Sequence, residues 1–297
     1  MNLHLARLDR MAPDSADNLL RCYRHPDRET GVSCSECGRG ICPDCMTFSP
    51  VGIRCPDHAG VKRGPATKVV RNLQRSSAGR PGTVTATLIA INVGIYFLQL
   101  AGGASINASS GWIYEHGALY GPLVANGDWY RLISAAFLHY GPIHLGMNML
   151  ALWWIGRPLE DYLGPIRYLL LYIVSGLAGS AGALIANPTA VTVGASGAIF
   201  GILGAAIVLE RQKTYVLGGS ALTLLIINIA FTFAVPGISI GGHLGGLAGG
   251  ALCILALSRF GKGNAAYSRI DAASVVSLVA IGLLSVAVAY WKVKGYA

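Results

Sequence analysis

Beyond residue 81 the sequence falls into apolar runs centred near 83–101, 140–157, 165–186, 194–210, 218–235, 241–259 and 273–291, with short polar stretches between them. Most of these seven runs reach the roughly 20 residues that a membrane-crossing helix requires. The runs at 194–210 and 218–235 are slightly short, and Arg211, Lys213 and the Gly218–Gly219 pair divide them. Residues 1–20 have no continuous apolar core, so no signal peptide is expected. The pattern predicts an all-α polytopic membrane protein with a small soluble part at its N-terminus.

Composition strengthens this reading. Hydrophobic residues make up 53% of the 297, charged residues 12%, and the mean hydropathy is +0.51. A soluble domain carries about 25% charged residues. The net charge of +9 does not point to nucleic acid, because the bases sit at the ends of apolar runs and form no aromatic-interleaved patch. They set an orientation instead. With the N-terminus inside, the cytosolic segments hold Lys62, Arg63, Lys68, Arg71, Arg75, Arg80, Arg157, Arg167, Arg211, Lys213, Arg259, Lys262 and Arg269, against Arg131, Lys292 and Lys294 outside. That is the positive-inside bias. The expected setting is a plasma membrane, multi-pass, with a cytosolic N-terminus, and a prokaryotic one, given the absence of organelle signals.

Six of the seven cysteines lie between Cys22 and Cys55. They form the pairs Cys22-x2-His25, Cys34-x2-Cys37, Cys42-x2-Cys45 and Cys55-x2-His58, and a two-residue gap lets both members of a pair reach one ion. Eight ligands predict two structural Zn2+ ions and a reducing compartment. Spacing alone permits sequential or interleaved sites. The order resembles B-box-type zinc fingers, and that resemblance implies cross-bracing: Cys22, His25, Cys42 and Cys45 on one ion, and Cys34, Cys37, Cys55 and His58 on the other. A module of about 40 residues buries little core, so metal supplies much of its folding energy. On the cytosolic side its expected partner is a cytosolic protein.

Candidate chemistry lies in the apolar runs. Ser196, within Gly194–Ala195–Ser196–Gly197, opens the fourth, and His243 opens the sixth. Both fall at the outer side in the orientation above. An ionisable group at membrane depth is costly and faces a cavity or a partner. Small residues around both sites, including Gly201, Gly246 and Gly250, permit the close helix approach that a Ser–His hydrogen bond needs. The second run adds His144-x3-Asn148, two groups on one helical face that can donate to an oxyanion together with the Ser196 amide. Runs two to six have no Asp or Glu in their interiors, since Glu160, Asp161 and Glu210 fall at cytosolic ends. The arrangement therefore reads as a nucleophile–base dyad without a carboxylate, and no cofactor is expected for catalysis. A proton-coupled transporter would normally add midplane carboxylates or broken helices. A pure zinc-finger adaptor has no use for polar residues aligned at one depth.

Trp129–Tyr130–Arg131, His139, His144-x3-Asn148, Gly194–Ala195–Ser196–Gly197 and His243-x2-Gly246-x3-Gly250 occur in the order found in the rhomboid intramembrane serine proteases. The chain resembles that family over about residues 83–259, and the apolar run that follows is similar to its "6+1" arrangement. The resemblance implies Ser196 as nucleophile, His243 as general base, and His144, Asn148 and the Ser196 amide as oxyanion donors. It implies an aromatic at Phe200 packed on the catalytic histidine, a structural role for Trp129 and Arg131, and a lateral gate at run five and the 235–240 turn. It further implies transmembrane protein substrates within the lipid bilayer, cut near the outer face. The competing expectation is a catalytically weak or inactive member that binds or chaperones membrane proteins, which would lack the serine or histidine kept here. His139 is expected to shape the outer loop. The expected divisions are a zinc-binding module at 20–60, a basic linker at 61–81, a membrane core at 82–260, and a seventh helix with its tail at 261–297.

Overall fold

A computed structural model of the chain describes residues 20–49, 52–59, 82–104, 106, 110–235, 237–258, 265–266 and 272–296. These fall into two units that divide between Leu73 and Gln74. The basic linker read at 61–81 lies outside the described residues, as do Pro236 and the orienting Arg259, Lys262 and Arg269.

The N-terminal unit is built of two short antiparallel hairpins. Strands β1 (Leu20–Cys22) and β2 (His25–Thr30) form the first, and β3 (Thr47–Ser49) and β4 (Gly52–Arg54) the second. Its fully buried apolar cluster is Cys22, Cys34, Ile41, Cys42, Cys45 and Cys55. With isoleucine as the one aliphatic side chain in that cluster, hydrophobic burial is far too small to offset the ordering of the chain. Cysteine sulfurs, not aliphatic side chains, make up most of what this unit buries.

The second unit is a polytopic helical membrane domain. Its helices are α1 (Thr83–Ala101), the short α2 (Trp112–Gly117), α3 (Gly121–Ala125) and α4 (Arg131–Ser134), then α5 (Pro142–Ala151), α6 (Arg157–Leu163), α7 (Pro165–Ala186), α8 (Ser196–Arg211), α9 (Ala221–Ala234), α10 (Ile240–Leu257) and α11 (Ala272–Val293). Among the described residues, α1, α7, α10 and α11 are long and apolar enough to cross a membrane, and α9 is a shorter apolar helix. Large apolar side chains on the outer helices, such as Phe97, Leu222, Ile226, Leu283 and Leu284, are exposed. Such a surface suits lipid rather than water.

The second apolar run extends further than its hydropathy predicts. Pro158 lacks an N–H and its ring crowds the carbonyl four residues back, which normally ends or bends a helix. Here the preceding turn, Leu152–Gly156, widens to a π-helix. The rod then continues as α6 to Leu163. This carries Glu160 into the interior, where it is 4% exposed. Its carboxylate accepts the N–H groups of Val84 and Thr85 and the Thr85 hydroxyl, each at 2.7 Å. A remote acid thus satisfies amides that the first turn of α1 cannot pair internally, and its charge suits the positive end of that helix.

Helix α10 packs between α7 and α8 through glycine on both sides. A methyl on Gly245 would strike the Ala178 carbonyl, and one on Gly241 the Gly182 carbonyl, both on α7. One on Gly246 would strike the Gly197 carbonyl, and one on Gly250 the Gly201 carbonyl, both on α8. Backbone therefore lies on backbone along two seams four residues apart in register. Gly250→Ala is expected to destabilise this unit by about 1–3 kcal/mol, the usual cost of overpacking, measured as a lower thermal midpoint in detergent. Gly94→Ala on α1 should not lower the midpoint, because a methyl there meets nothing within 4 Å and alanine is the better helix former.

Candidate functional site

Ser196 is the first residue of α8, where backbone amides have no intrahelical acceptor. The segment leading to it is held from outside the helix. Thr192 and Leu119 exchange backbone hydrogen bonds at 2.9 and 3.0 Å, and the Gly194 N–H donates to the Ala135 carbonyl at 2.9 Å. The connection carrying Leu119 and Ala135 is itself tied down by Arg131, which is 3% exposed. The Arg131 guanidinium donates to Asp128 at 2.9 Å and to the carbonyls of Glu115 and Ala118 at 2.8 Å. The Trp129 ring packs against Tyr290 of α11, centroids 5.7 Å apart.

The glycine seam then brings α10 to Ser196. A methyl on Gly197 would lie 3.5 Å from the Gly242 carbonyl, and Gly246 sits on the Gly197 carbonyl. The turn of α10 between those two glycines contains His243. One turn along α8 from Ser196, the Phe200 ring lies flat on the His243 imidazole, centroids 3.9 Å apart and planes 14° apart. Ser196 and His243 thus occupy adjoining turns of crossing helices. The other face of the imidazole edge reaches α9, where Thr232 Oγ1 is 2.8 Å from His243 Nδ1. Sequence reasoning passed over Thr232, since a lone threonine in an apolar run reads as packing.

His144 approaches from α5. Its Nδ1 accepts the Tyr140 N–H at 3.2 Å, so in the neutral ring the proton sits on Nε2. That nitrogen points at the serine turn. A methyl built on Gly194 would lie 2.9 Å from His144 Nε2 and 3.8 Å from Ser196 Oγ. Gly194 has φ +122°, a conformation that favours glycine for backbone as well as steric reasons. Asn148, buried on the same face, donates one amide N–H to the His144 carbonyl at 2.8 Å, which leaves the second. The arrangement can set an N–H donor, an amide and a helix N-terminus around one hydroxyl. His139 behaves differently from its neighbours. Its backbone pairs with the Gln99 side chain, and its ring packs against His144 at 5.2 Å.

In the N-terminal unit the eight candidate ligands gather into two groups. Cys22, His25, Cys42 and Cys45 form one, and Cys34, Cys37, Cys55 and His58 the other, with ligand atoms of each group within 4.8 Å of one another. In the first, His25 Nδ1 is 3.7, 3.3 and 3.5 Å from the sulfurs of Cys22, Cys42 and Cys45. In the second, His58 Nδ1 is 3.8 and 3.2 Å from those of Cys34 and Cys55, and the Cys37 and Cys55 sulfurs are 3.9 Å apart. A tetrahedral zinc with ordinary Zn–S and Zn–N bonds has ligand–ligand edges of roughly 3.5–3.8 Å. Donor set and spacing both fit that ion. Burial would push the Cys34 thiol up, yet the backbone N–H groups of Cys55, Glu36 and Cys37 around its sulfur bring it down to about 5. Burial, with the Cys22 and Cys42 sulfurs beside it, pushes Cys45 up to about 12. Crowded thiols that oppose one another's ionisation in this way are what a dication relieves.

Residues 126–260, which contain all four membrane candidates, match the family model described as Rhomboid domain. The chain is 37% identical to Rhomboid protease GluP of Bacillus subtilis (strain 168) over 210 residues, which cover 69% of this chain and 40% of that protein. It is 38% identical to Putative rhomboid protease YdcA of the same organism over 134 residues, 43% of this chain and 67% of the relative. RHOMBOID-like protein 5 of Arabidopsis thaliana is 39% identical over 141 residues, 45% of this chain and 46% of its own length. The chain thus spans less than half the length of the first and third of these relatives. Its cysteine-rich unit lies outside the matched Rhomboid domain.

Proposed function

The chain belongs to the rhomboid family, and from that premise we propose that it is an intramembrane serine endopeptidase cutting transmembrane segments of other proteins near the outer face. Ser196 is the nucleophile and His243 its general base. His243 Nε2 takes the proton from Ser196 Oγ as that oxygen attacks the scissile carbonyl. Negative charge moves onto the carbonyl oxygen and is met by His144 Nε2–H, the remaining Asn148 amide N–H and the Ser196 backbone N–H. The C–N bond then breaks, protonated His243 gives its proton to the leaving amine, and an acyl-serine remains. Water, deprotonated by His243, attacks the acyl carbon, and Ser196 regains its proton as the ester opens. The flat stacking of Phe200 on His243, one turn below Ser196, is the observation that best supports this reading.

In this reading the N-terminus is cytosolic, as the basic residues direct, and the membrane is the plasma membrane of a prokaryote. Its N-terminal unit holds two structural zinc ions on the two Cys3His groups and takes no part in the chemistry. The core at 82–260 and the helix that follows act as the protease.

The test is cleavage of a library of single-pass membrane proteins by the intact chain in proteoliposomes, with Ser196→Ala as control. The expected outcome is site-specific cleavage near the outer membrane face by the intact chain alone. Equal cleavage by both would refute the proposal. Loss of one oxyanion donor is smaller in effect: His144→Ala should lower kcat about 100- to 1000-fold. KM should change little, because the donor acts on charge that develops only in the transition state.

A further inference from the structure

Thr232 is a hydroxyl that the dyad leaves unassigned, and its hydrogen bonds fix more than a contact. It is the one residue besides Ala221 that α9 buries. Its neighbours Phe231 and Phe233 are exposed, so the helix turns this side chain inward while showing aromatic rings outward. Thr232 Oγ1 lies 2.7 Å from the Asn228 carbonyl and 2.8 Å from His243 Nδ1.

A hydroxyl carries a single proton. A carbonyl oxygen can only accept, so at 2.7 Å the Thr232 proton is committed to Asn228; otherwise two oxygen lone pairs would face each other. Oγ1 must then accept at its other contact. The donor is His243 Nδ1–H, which makes Nδ1 the protonated nitrogen of the neutral ring. Its Nε2 is left with a free lone pair, the form a general base requires.

We propose that Thr232 is a positioning residue that sets the His243 tautomer, doing from α9 what a carboxylate would do in a triad. The proposal rests on the reading of Ser196 and His243 as a dyad. It accounts for the lack of an acid in the interiors of runs two to six: the neutral acceptor comes from a third helix, and the backbone of that helix holds the acceptor's own proton. As His243 gains the serine proton, the bond from Nδ1–H to Thr232 becomes charge-assisted and strengthens. The imidazole of His144, with its proton on Nε2, has the opposite tautomer. The two imidazoles thus offer a lone pair and an N–H to the same reaction, and the hydrogen-bond partner of each Nδ1 decides which.

The experiment combines 15N NMR of histidine-labelled protein in detergent, His243 being assigned by its absence from His243→Gln, with steady-state cleavage of a transmembrane substrate. In the unaltered chain His243 should show a protonated Nδ1 and an unprotonated Nε2. Thr232→Val, which keeps the shape and removes the hydroxyl, should shift the ring toward the Nε2–H form and lower kcat roughly 10- to 100-fold, the worth of a hydrogen bond to a charged group. KM should stay within about twofold and Thr232→Ser should restore most of the rate, as expected of a group that acts on the transition state. A protonated Nε2 in the unaltered chain overturns the proposal, and so does a Thr232→Val enzyme with full kcat while Ser196→Ala is dead. Activity persisting in Ser196→Ala would instead overturn the dyad itself. The NMR measurement on the unaltered chain decides the tautomer even if Thr232→Val does not fold.

Discussion

Ser196→Ala and His243→Ala are each expected to lower kcat/KM for substrate cleavage by about 10^4- to 10^6-fold, and the double variant should be no worse than either alone. Both halves of the expectation follow from the chemistry. Proton transfer from Oγ to Nε2 and attack on the carbonyl are one event, so removing either partner removes the nucleophile. A loss of 10^4 corresponds to about 5.5 kcal/mol of transition-state stabilisation. That exceeds anything a packing change at one serine would cost, because alanine fits wherever serine does. His243→Ala also empties the space against Phe200, so its folding must be checked by thermal midpoint before its rate is read. A fluorophosphonate probe, which forms its covalent bond through Oγ, supplies an independent readout. Labelling of the intact chain and of neither variant is the expected result. Labelling that survives both substitutions, or rate losses that multiply in the double variant, would remove this mechanism.

The sequence made the frame of the site legible because two different physical signals converged. Hydropathy located the helices: the run read at 165–186 is α7 to the residue, and α10 begins at Ile240 rather than at 241. Charge asymmetry reads Ser196 and His243 at one depth, and small residues predict that their helices touch, as the Gly246–Gly197 approach shows they do. Other features lay out of reach for identifiable reasons. The extension of the second rod to Leu163 depends on a π-turn absorbing Pro158, and local sequence gives no sign of it. Glu160 reads as a surface acid at the end of a run, whereas its partners, Val84 and Thr85, lie 75 residues or more away in the chain. The connection at 102–138 holds helices of four to six residues, too short for a periodicity, organised around the buried Arg131. Thr232 carried one indirect sign. A base with no carboxylate to orient it needs some other acceptor, but which hydroxyl supplies it depends on how α9 rotates against α10.

Chelating zinc from the intact chain should unfold residues 20–59, and the ions should leave together rather than one at a time. Metal binding to structural Cys/His sites is worth about 10–16 kcal/mol per ion, and the buried cluster of Cys22, Cys34, Ile41, Cys42, Cys45 and Cys55 offers nothing of comparable size to replace it. The order of the ligands couples the sites. Cys34 and Cys37 belong to the second group, yet they lie on the stretch between His25 and Cys42, which both belong to the first. Releasing the first ion frees both anchors of that stretch and scatters half of the second site. Cys42→Ser is therefore expected to bring zinc content from two ions per chain to well below one, measured by atomic absorption on the purified protein. Sites built from consecutive pairs would instead keep one ion. Maleimide labelling gives the structural counterpart: the six cysteines of the N-terminal unit should become reactive together on chelation, while Cys253, buried in α10, stays protected. Thiols that remain protected after the metal is stripped would show that the hairpins hold themselves together without it.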